Sequence, residues 1–335
     1  MDAPAIAGCL SHDMVEGNPR MLKYISYRLF TLIPVLLGVS FLVFSLFWVV
    51  PGDVVDILIG LEESGNPEAK EVLRKSLNLD KPFYVQYGMW LWRALQGDLG
   101  RSFVSGQEVS KEILSRLPVN IEMIAVSMFL VILIGIPLGI LSAYRQFSLF
   151  DHVVRFVTTL GYCVPNFWAA AIMVLLGSLY FRWLPVLDYV PFSENPLANI
   201  KSMLIPGFVL ALSTMALIAR MSRSSALDTL RQDYVRTARA KGASEKTVLF
   251  VHVLKNSLIP VVTILGFRIG GMVGGFVLTE EIFVLPGMGS MVLLAIQQRD
   301  LISVTGSILV LAVFFVVVNL VVDIIYGFLD PRIRY

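Results

Sequence analysis

Charge and cysteine are both scarce in this 335-residue chain. Charged residues make up 16% of it against 56% hydrophobic, and the formal net charge is only +2. A balance so near zero gives no general pull toward nucleic acid, so the placement of each charge matters more than the sum. The two cysteines, Cys9 in a polar tail and Cys163 in an apolar run, argue against a structural disulfide. Three histidines (His12, His152 and His252) are scattered without ligand spacing, so no zinc or haem site is expected. No Gly-x4-Gly-Lys-Ser/Thr string occurs, so a phosphate-cradling P-loop is not expected. A Gly-x-Ser-x-Gly elbow and a His-Glu-x-x-His pair are missing as well. Catalytic, cofactor-binding and metal residues are therefore all expected to be none.

Long apolar runs are abundant. Mean hydropathy is +0.74, more apolar surface than a soluble core of this length could hide. A membrane-crossing helix needs about 20 mostly apolar residues. Five uncharged runs meet that, between Arg28 and Asp53, Glu122 and Arg145, Arg155 and Arg182, Lys201 and Arg220, and Asp300 and Asp323. A sixth, Ser257 to Thr279, qualifies once Arg268 is tolerated inside it. The expected fold is an all-α membrane protein with six transmembrane helices and both termini on one side.

Basic residues concentrate in two loops. Arg220, Arg223, Arg231, Arg236, Arg239, Lys241, Lys246 and Lys255 lie in 220–256, and Arg145 and Arg155 bound a short loop. The loops at 184–203 and 281–303 hold only Lys201 and Arg299. The positive-inside rule then puts both basic loops and both termini in the cytoplasm. Residues 1–20 show no periodicity and read as a disordered extension or an upstream start, with the membrane domain spanning 21–335. A cleaved signal peptide is not expected, because the first apolar run is too long and no small-residue site follows it.

Segment 51–118 falls on the extracytoplasmic side. Pro51-Gly52 ends the first span, residues 67–78 predict a short helix opened by Pro67, and residues 82–96 predict another. Tyr84, Tyr87, Trp90 and Trp92 suit a membrane–water interface. They fit either a lid packed on the bundle or a docking surface for a substrate-binding protein.

The 220–256 loop has its own chemistry. Asp228–Arg231 and Asp233–Arg236 are spaced to support a helix. Ala238 and Ala240 are small, Lys241 suits the last turn, and Gly242 suits a left-handed cap. Ser244 predicts an N-cap for a second helix over 245–255. The pattern is a helix–glycine–helix elbow that leads by Asn256–Pro260 into the next span.

The string Asp233-Tyr234-Val235-Arg236-Thr237-Ala238-Arg239-Ala240-Lys241-Gly242, followed by Asn256-Ser257-Leu258-Ile259-Pro260, resembles the ATPase-docking loop of bacterial ABC importer permeases. Arg236-Thr237-Ala238 stands where the usual Glu-Ala-Ala would be, and Gly242 to Pro260 exceeds the short consensus. Both departures match the dipeptide and oligopeptide permease branch. Arg220-Met221-Ser222-Arg223-Ser224-Ser225, Gly97-Asp98-Leu99-Gly100-Arg101-Ser102, Glu281-Ile282-Phe283 with Pro286-Gly287-Met288-Gly289, and Asp330-Pro331-Arg332-Ile333-Arg334-Tyr335 are similar to the same family. The resemblance covers residues 21–335.

It implies a type I ABC importer-like permease fold in the bacterial inner membrane. It also implies a second six-span permease, two cytoplasmic ATPase subunits that bind the ATP, and an extracytoplasmic substrate-binding protein. Coupling residues implied by it are Tyr234, Val235, Ala238, Gly242 and Ala243. Partners so expected are these subunits and the lipid bilayer, with no nucleic acid.

Within the membrane, Gly266, Gly270 and Gly274 recur at four-residue spacing, which favours close helix packing or, alternatively, a sliding contact. Arg268 is the one charge placed mid-span, and lipid burial would cost it a few kcal/mol or more. Two readings are open: a structural pair with an acid such as Asp323, or a place on the translocation path that favours a substrate carboxylate. Pro165 and Pro260 are expected to kink or start helices. The rival function is an ion-coupled secondary transporter, which ordinarily carries acids in its spans and inverted repeats. Neither feature is evident. A membrane enzyme would need a nucleophile, dyad or metal set, and none shows.

Overall fold

The computed structural model describes residues 19–49, 71, 74–75, 80–181 and 189–329. Most of the extension at 1–20, Pro51-Gly52, most of the expected helix at 67–78, and the terminal Asp330–Tyr335 lie outside those residues. Helix α1 (Pro19–Val49) opens the described chain, and α2 (Phe83–Leu95) follows near its far end. Next, α3 (Val109–Leu130) runs through a π-helical stretch, Val131–Gly135, into α4 (Ile136–Tyr144). Helices α5 (Leu149–Cys163), α6 (Asn166–Phe181) and α7 (Pro196–Leu230) come next. The short α8 (Asp233–Ala240) precedes α9 (Glu245–Thr247), which passes through a π-helical stretch at Val248–Val253 into α10 (Leu254–Met272). A 3-10 turn then leads to α11 (Phe276–Phe283), α12 (Met288–Gln297) and α13 (Leu301–Leu329).

Five continuous helical segments are long and apolar enough to cross a membrane: Arg28–Leu46, Val109–Tyr144, Pro196–Leu230, Glu245–Phe283 and Leu301–Ile324. The remaining apolar run is not straight. α5 and α6 together satisfy the same test but meet at a bend of 105°. Pro165 sits at that break, where its ring disfavours helix in the residue before it. Val164 is accordingly extended, with φ −74° and ψ 123°. Pro260, in contrast, lies inside an unbroken α10, so it neither starts nor interrupts a helix. The second span also begins earlier than its apolar run, since α3 carries Pro118 in its interior and starts at Val109.

Helix α7 is the axis of the bundle. It has 35 residues, about 52 Å at 1.5 Å per residue, well beyond a hydrocarbon core of about 30 Å. Pro196 preorganises its first turn, and the Asn195 side chain accepts from Ala198 N at 3.1 Å. Against it pack α3, α4, α5 and α10. The core where they meet holds Met123, Met203, Leu210, Ile218, Val261 and Phe276, each almost wholly buried.

Close approaches depend on glycine. A Cβ on Gly139 would overlap the Ala219 carbonyl and the Ser222 side chain, so α4 lies directly on α7. Gly266 and Gly270 meet Val322 and Asn319 of α13 in the same way, which makes that spacing a packing contact. Gly274, the third member, has open space around it.

The outward surface remains apolar. Phe30 and Leu42 on α1, Leu179 on α6 and Phe267 on α10 are exposed, as a lipid-facing surface requires. Beside the end of α1, α2 packs Phe83, Tyr87 and Trp90 on Phe41 and Phe44, with ring centroids 5.4 to 5.6 Å apart for those on Phe44. Ser40 and Tyr87 share a hydrogen bond of 2.8 Å. One face of α2 is thus a lid on the bundle, while Tyr84, Trp92 and Leu95 on it stay exposed.

Candidate coupling elbow and span interior

The elbow is built by a break, a buried peg and a clasp. α7 ends at Leu230, Gln232 turns extended, and α8 restarts at Asp233. The helix therefore does not run straight into Gly242. Asp233 and Arg236 pair at 3.6 Å on an exposed face. Asp228 and Arg231 form no ion pair, because Arg231 falls on the cap where the helix has already ended. Instead, Arg239 reaches across the turn and holds Glu245 with both Nε and Nη2, at 2.9 and 3.2 Å.

Gly242 takes φ +84°, the left-handed conformation expected of a helix cap. Ala243 N donates to Ala238 O at 3.1 Å and Gly242 N to Arg239 O at 2.9 Å, satisfying the last carbonyls. The Ser244 hydroxyl accepts from Thr247 N at 3.2 Å. The helix that follows does not stop at Lys255. It continues through the π-helical stretch into α10, so the second arm of the elbow is the first turn of a span.

The five residues expected at this site divide by orientation. Val235 is fully buried among Ile140, Ala143, Ala226, Val248 and Val253, which come from α4, α7 and the π-helical stretch. It is a peg that holds α8 and offers no outer contact. Tyr234 is exposed, Ala238 and Ala243 are half-buried, and Gly242 is exposed with no atom near a would-be Cβ. Together with Arg236 and Lys241 they give α8 a basic outer face with small side chains between the charges.

Two polar networks were not foreseen from sequence. Near the elbow, the wholly buried Asp151 accepts from Arg223 Nε at 2.6 Å and Nη2 at 2.8 Å, from Phe147 N at 3.0 Å, and from the Ser142 hydroxyl. This bidentate pair ties α5 and the loop before it to α7. At the opposite end, the buried Glu280 accepts from Asn120 Nδ2 at 2.7 Å and Ser290 N at 2.8 Å. Asn120 in turn accepts from Met288 N at 2.9 Å. A carboxylate and an amide thereby satisfy backbone donors at the start of α12. The only sequence signal was an acid near each end of an apolar run. Outside the spans, Tyr189 donates to Glu122 at 3.2 Å. Burial, with the neighbouring carboxylate, pushes its hydroxyl up to about 12.

The span interior corrects one expectation. Asp323 pairs with Arg28 of α1 at 3.1 Å, and so does not partner Arg268. Asn319 bonds the Phe315 carbonyl of its own helix. Arg268 is half-buried, and among the described residues no acid lies within salt-bridge distance of it. Arg220 stacks on the Tyr162 ring, its guanidinium carbon 4.4 Å from the centroid, and its buried Nε finds no acceptor.

Residues 135–335 match the family model described as binding-protein-dependent transport system inner membrane component. Residues 21–124 match that of the N-terminal part of such membrane components. The dipeptide transport system permease protein of Escherichia coli K12 is 36% identical over 338 residues, covering 94% of this chain and 99% of the relative. The di/tripeptide transport system permease protein of Pseudomonas aeruginosa is 39% identical over 335 residues, with the same coverage. A dipeptide transport system permease protein of Alkalihalophilus pseudofirmus is 38% identical, covering 94% and 100%.

Proposed function

We infer how this chain works from one premise: it belongs to the family of binding-protein-dependent transport system inner membrane components. It is a multi-pass permease subunit of a bacterial importer. Our proposal is that α8, with Tyr234, Ala238, Gly242 and Ala243 around its outer face, seats in a groove of a cytoplasmic ATPase. The single observation that carries this is the elbow's construction. Its outer face is basic and open, while Val235 is driven into a cluster shared by α4, α7 and the lead-in to α10. A push on α8 therefore reaches three spans without an intervening flexible link. The left-handed cap at Gly242 and the Arg239–Glu245 clasp keep the elbow's two arms at a fixed angle.

ATP is bound in trans, since the sequence carries no phosphate-cradling loop. The expected assembly has a second six-span permease, two ATPase subunits and an extracytoplasmic binding protein. The basic elbow end then faces the cytoplasm, and both termini with it. ATP-driven closure of the ATPases moves the spans between inward- and outward-open states as a rigid-body change. The relatives are named for dipeptides and di/tripeptides, so short peptides are the proposed substrate. Nothing in the fold or the relatives favours an ion-coupled carrier.

Purification of a tagged chain from its native membrane, followed by mass spectrometry, tests the assembly. P-loop ATPases and a second permease are expected to come with it. A chain that purifies alone, or only with itself, refutes the reading.

A further inference from the structure

We propose that the trough between α1, α10 and α13 is a binding site for one phospholipid with a phosphoethanolamine headgroup. Its phosphate meets Arg28, its ammonium meets Asp323, and an acyl chain runs inward along Leu32, Val35 and Phe267. The site lies apart from the coupling elbow, and its leaflet is the cytoplasmic one on the topology proposed above.

Three helices build the trough. α13 packs on α1 and on α10, so it is the floor and they are the walls. Gly266 brings α10 close to Val322 and seals that edge. The space left is a cavity of about 380 Å³, within the roughly 300–1,000 Å³ usual for small-ligand sites. Its two ends differ in chemistry. Arg28 and Asp323 line one end, paired at 3.1 Å. Thr263 lines the same end, since it lies about one turn nearer the elbow than Gly266, which is level with Val322. Two turns deeper stand Val35 of α1 and Val316 of α13, about 10 Å away at 1.5 Å per residue.

Between those ends the walls are apolar apart from Asn319, whose Nδ2 donates to the Phe315 carbonyl of its own helix. Val35 and Phe267 are exposed, so the trough opens onto the apolar outer surface of the bundle. Walls of this kind hold water poorly, and hydrocarbon suits them. The charged end sits where a headgroup belongs, because α1 reaches the trough from its own first turns. Residues 19–28 carry Arg20, Lys23 and Arg28 and no acid, a lead-in that favours a headgroup phosphate.

The ion pair selects the headgroup. Arg28 keeps 42% of its side-chain surface exposed and Asp323 25%, so the pair is not closed to a third group. Among the described residues Asp323 makes one polar contact, through Oδ2, which leaves Oδ1 to face a donor. Guanidinium is matched to phosphate oxygens by its planar fork of donors, and a primary ammonium brings three N–H donors to a carboxylate. A phosphoethanolamine headgroup answers both charges at once. A trimethylated ammonium has no N–H to give, and a purely anionic headgroup offers Asp323 no cation. A partner's helix laid in the trough would cover the pair with side chains and take both charges out of water, which is costly.

The test uses the tagged chain with its co-purifying subunits, stripped of native lipid in detergent. Native mass spectrometry measures binding of dioleoyl phosphatidylethanolamine, its N-trimethylated counterpart and dioleoyl phosphatidylglycerol. The variants are Val35→Trp, which fills the trough and keeps the ion pair, and Arg28→Gln with Asp323→Asn together, which leaves no stranded charge. Wild type is expected to bind the ethanolamine lipid roughly tenfold more tightly than the trimethylated one, the scale of one lost charge-assisted hydrogen bond. The double variant should lose that preference, and Val35→Trp should hold one ethanolamine lipid fewer per copy of this chain. Equal affinity for the ethanolamine and trimethylated lipids overturns the proposal, as does a preference that survives in both variants. Tightest binding of the glycerol lipid overturns it too, by showing plain attraction of anionic headgroups. So does loss of a partner subunit from Val35→Trp with lipid binding unchanged, which marks the trough as a protein contact. Binding is read without ATP or a transported solute, so its failure leaves the importer reading standing.

Discussion

Replacing Asp151 by asparagine should be among the most damaging single changes available near the elbow. The carboxylate is fully buried and its partner Arg223 is only 19% exposed, so neither charge has water to fall back on. Asparagine removes the negative charge and turns one acceptor into a donor that faces guanidinium N–H groups. Breaking a buried pair by removing one member typically costs about 3–5 kcal/mol, because an uncompensated charge stays behind. At roughly 2–4 °C per kcal/mol for chains somewhat smaller than this one, the apparent Tm should fall by about 10 °C. Arg223→Met should do comparable harm by stranding the carboxylate, although Ser142 and Phe147 N still bond it. The double variant Asp151→Leu with Arg223→Met leaves no stranded charge, so it should be less damaged than the two singles summed. Thermal unfolding of the detergent-solubilised complex reads all three. Singles that shift Tm by less than a couple of degrees, or a strictly additive double, would refute the argument that the pair acts as one buried unit.

Further outcomes test other parts of the elbow and the far end. Gly242→Asn should keep binding-protein-stimulated ATP hydrolysis and Gly242→Val should lose it, because φ +84° costs a β-branched residue about 1–2 kcal/mol while asparagine tolerates it. Val235→Ala should lower the apparent Tm by the equivalent of roughly 2 kcal/mol through the cavity it leaves, whereas Tyr234→Ala on the exposed side should leave Tm alone and weaken ATPase capture in a pull-down. Tyr189 should stay protonated to higher pH than a free tyrosine, so its contribution is complete below about pH 10 and lost as pH rises toward 12. A tyrosinate absorbance titration of wild type against Tyr189→Phe measures it, and a difference titrating near 10 would contradict the buried contact with Glu122.

The spans, the elbow and its glycine cap were readable because each rests on local chemistry. A run of twenty apolar residues, a basic loop and a glycine after a helical stretch all act through neighbours in sequence. What escaped depends on residues brought together from far apart. Asp151 and Arg223 are 72 positions apart, and Asn120 and Glu280 are 160 apart. Each acid lies near the end of an apolar run, with nothing in its sequence neighbours to name the distant partner. Val235 escaped for a related reason: in a basic octamer it reads as one apolar residue on an outer face, and only the arrangement of α4, α7 and the π-helical stretch turns it inward. The bend at Pro165 was half visible, since proline signals a break without fixing an angle. Arg268 was legible as an anomaly, but its expected partner was not, because Asp323 faces α1 and the choice between α1 and α10 is made by helix rotation.

These long-range contacts also explain how one push could move the whole bundle. At the elbow end, Val235 joins α8 to α4, α7 and the lead-in to α10, and Asp151 adds α5 to the same block. Along the middle, Gly139 and the Gly266–Gly270 pair bring backbones so close that packed helices have no slack to slide independently. At the other end, Glu280 and Asn120 hold the start of α12 against α3. Each of these interfaces is glycine-tight, pinned by a buried polar group or filled by a buried apolar peg. On the coupling proposed for α8, a displacement at the elbow is therefore passed to the block as a whole, as a rigid-body change.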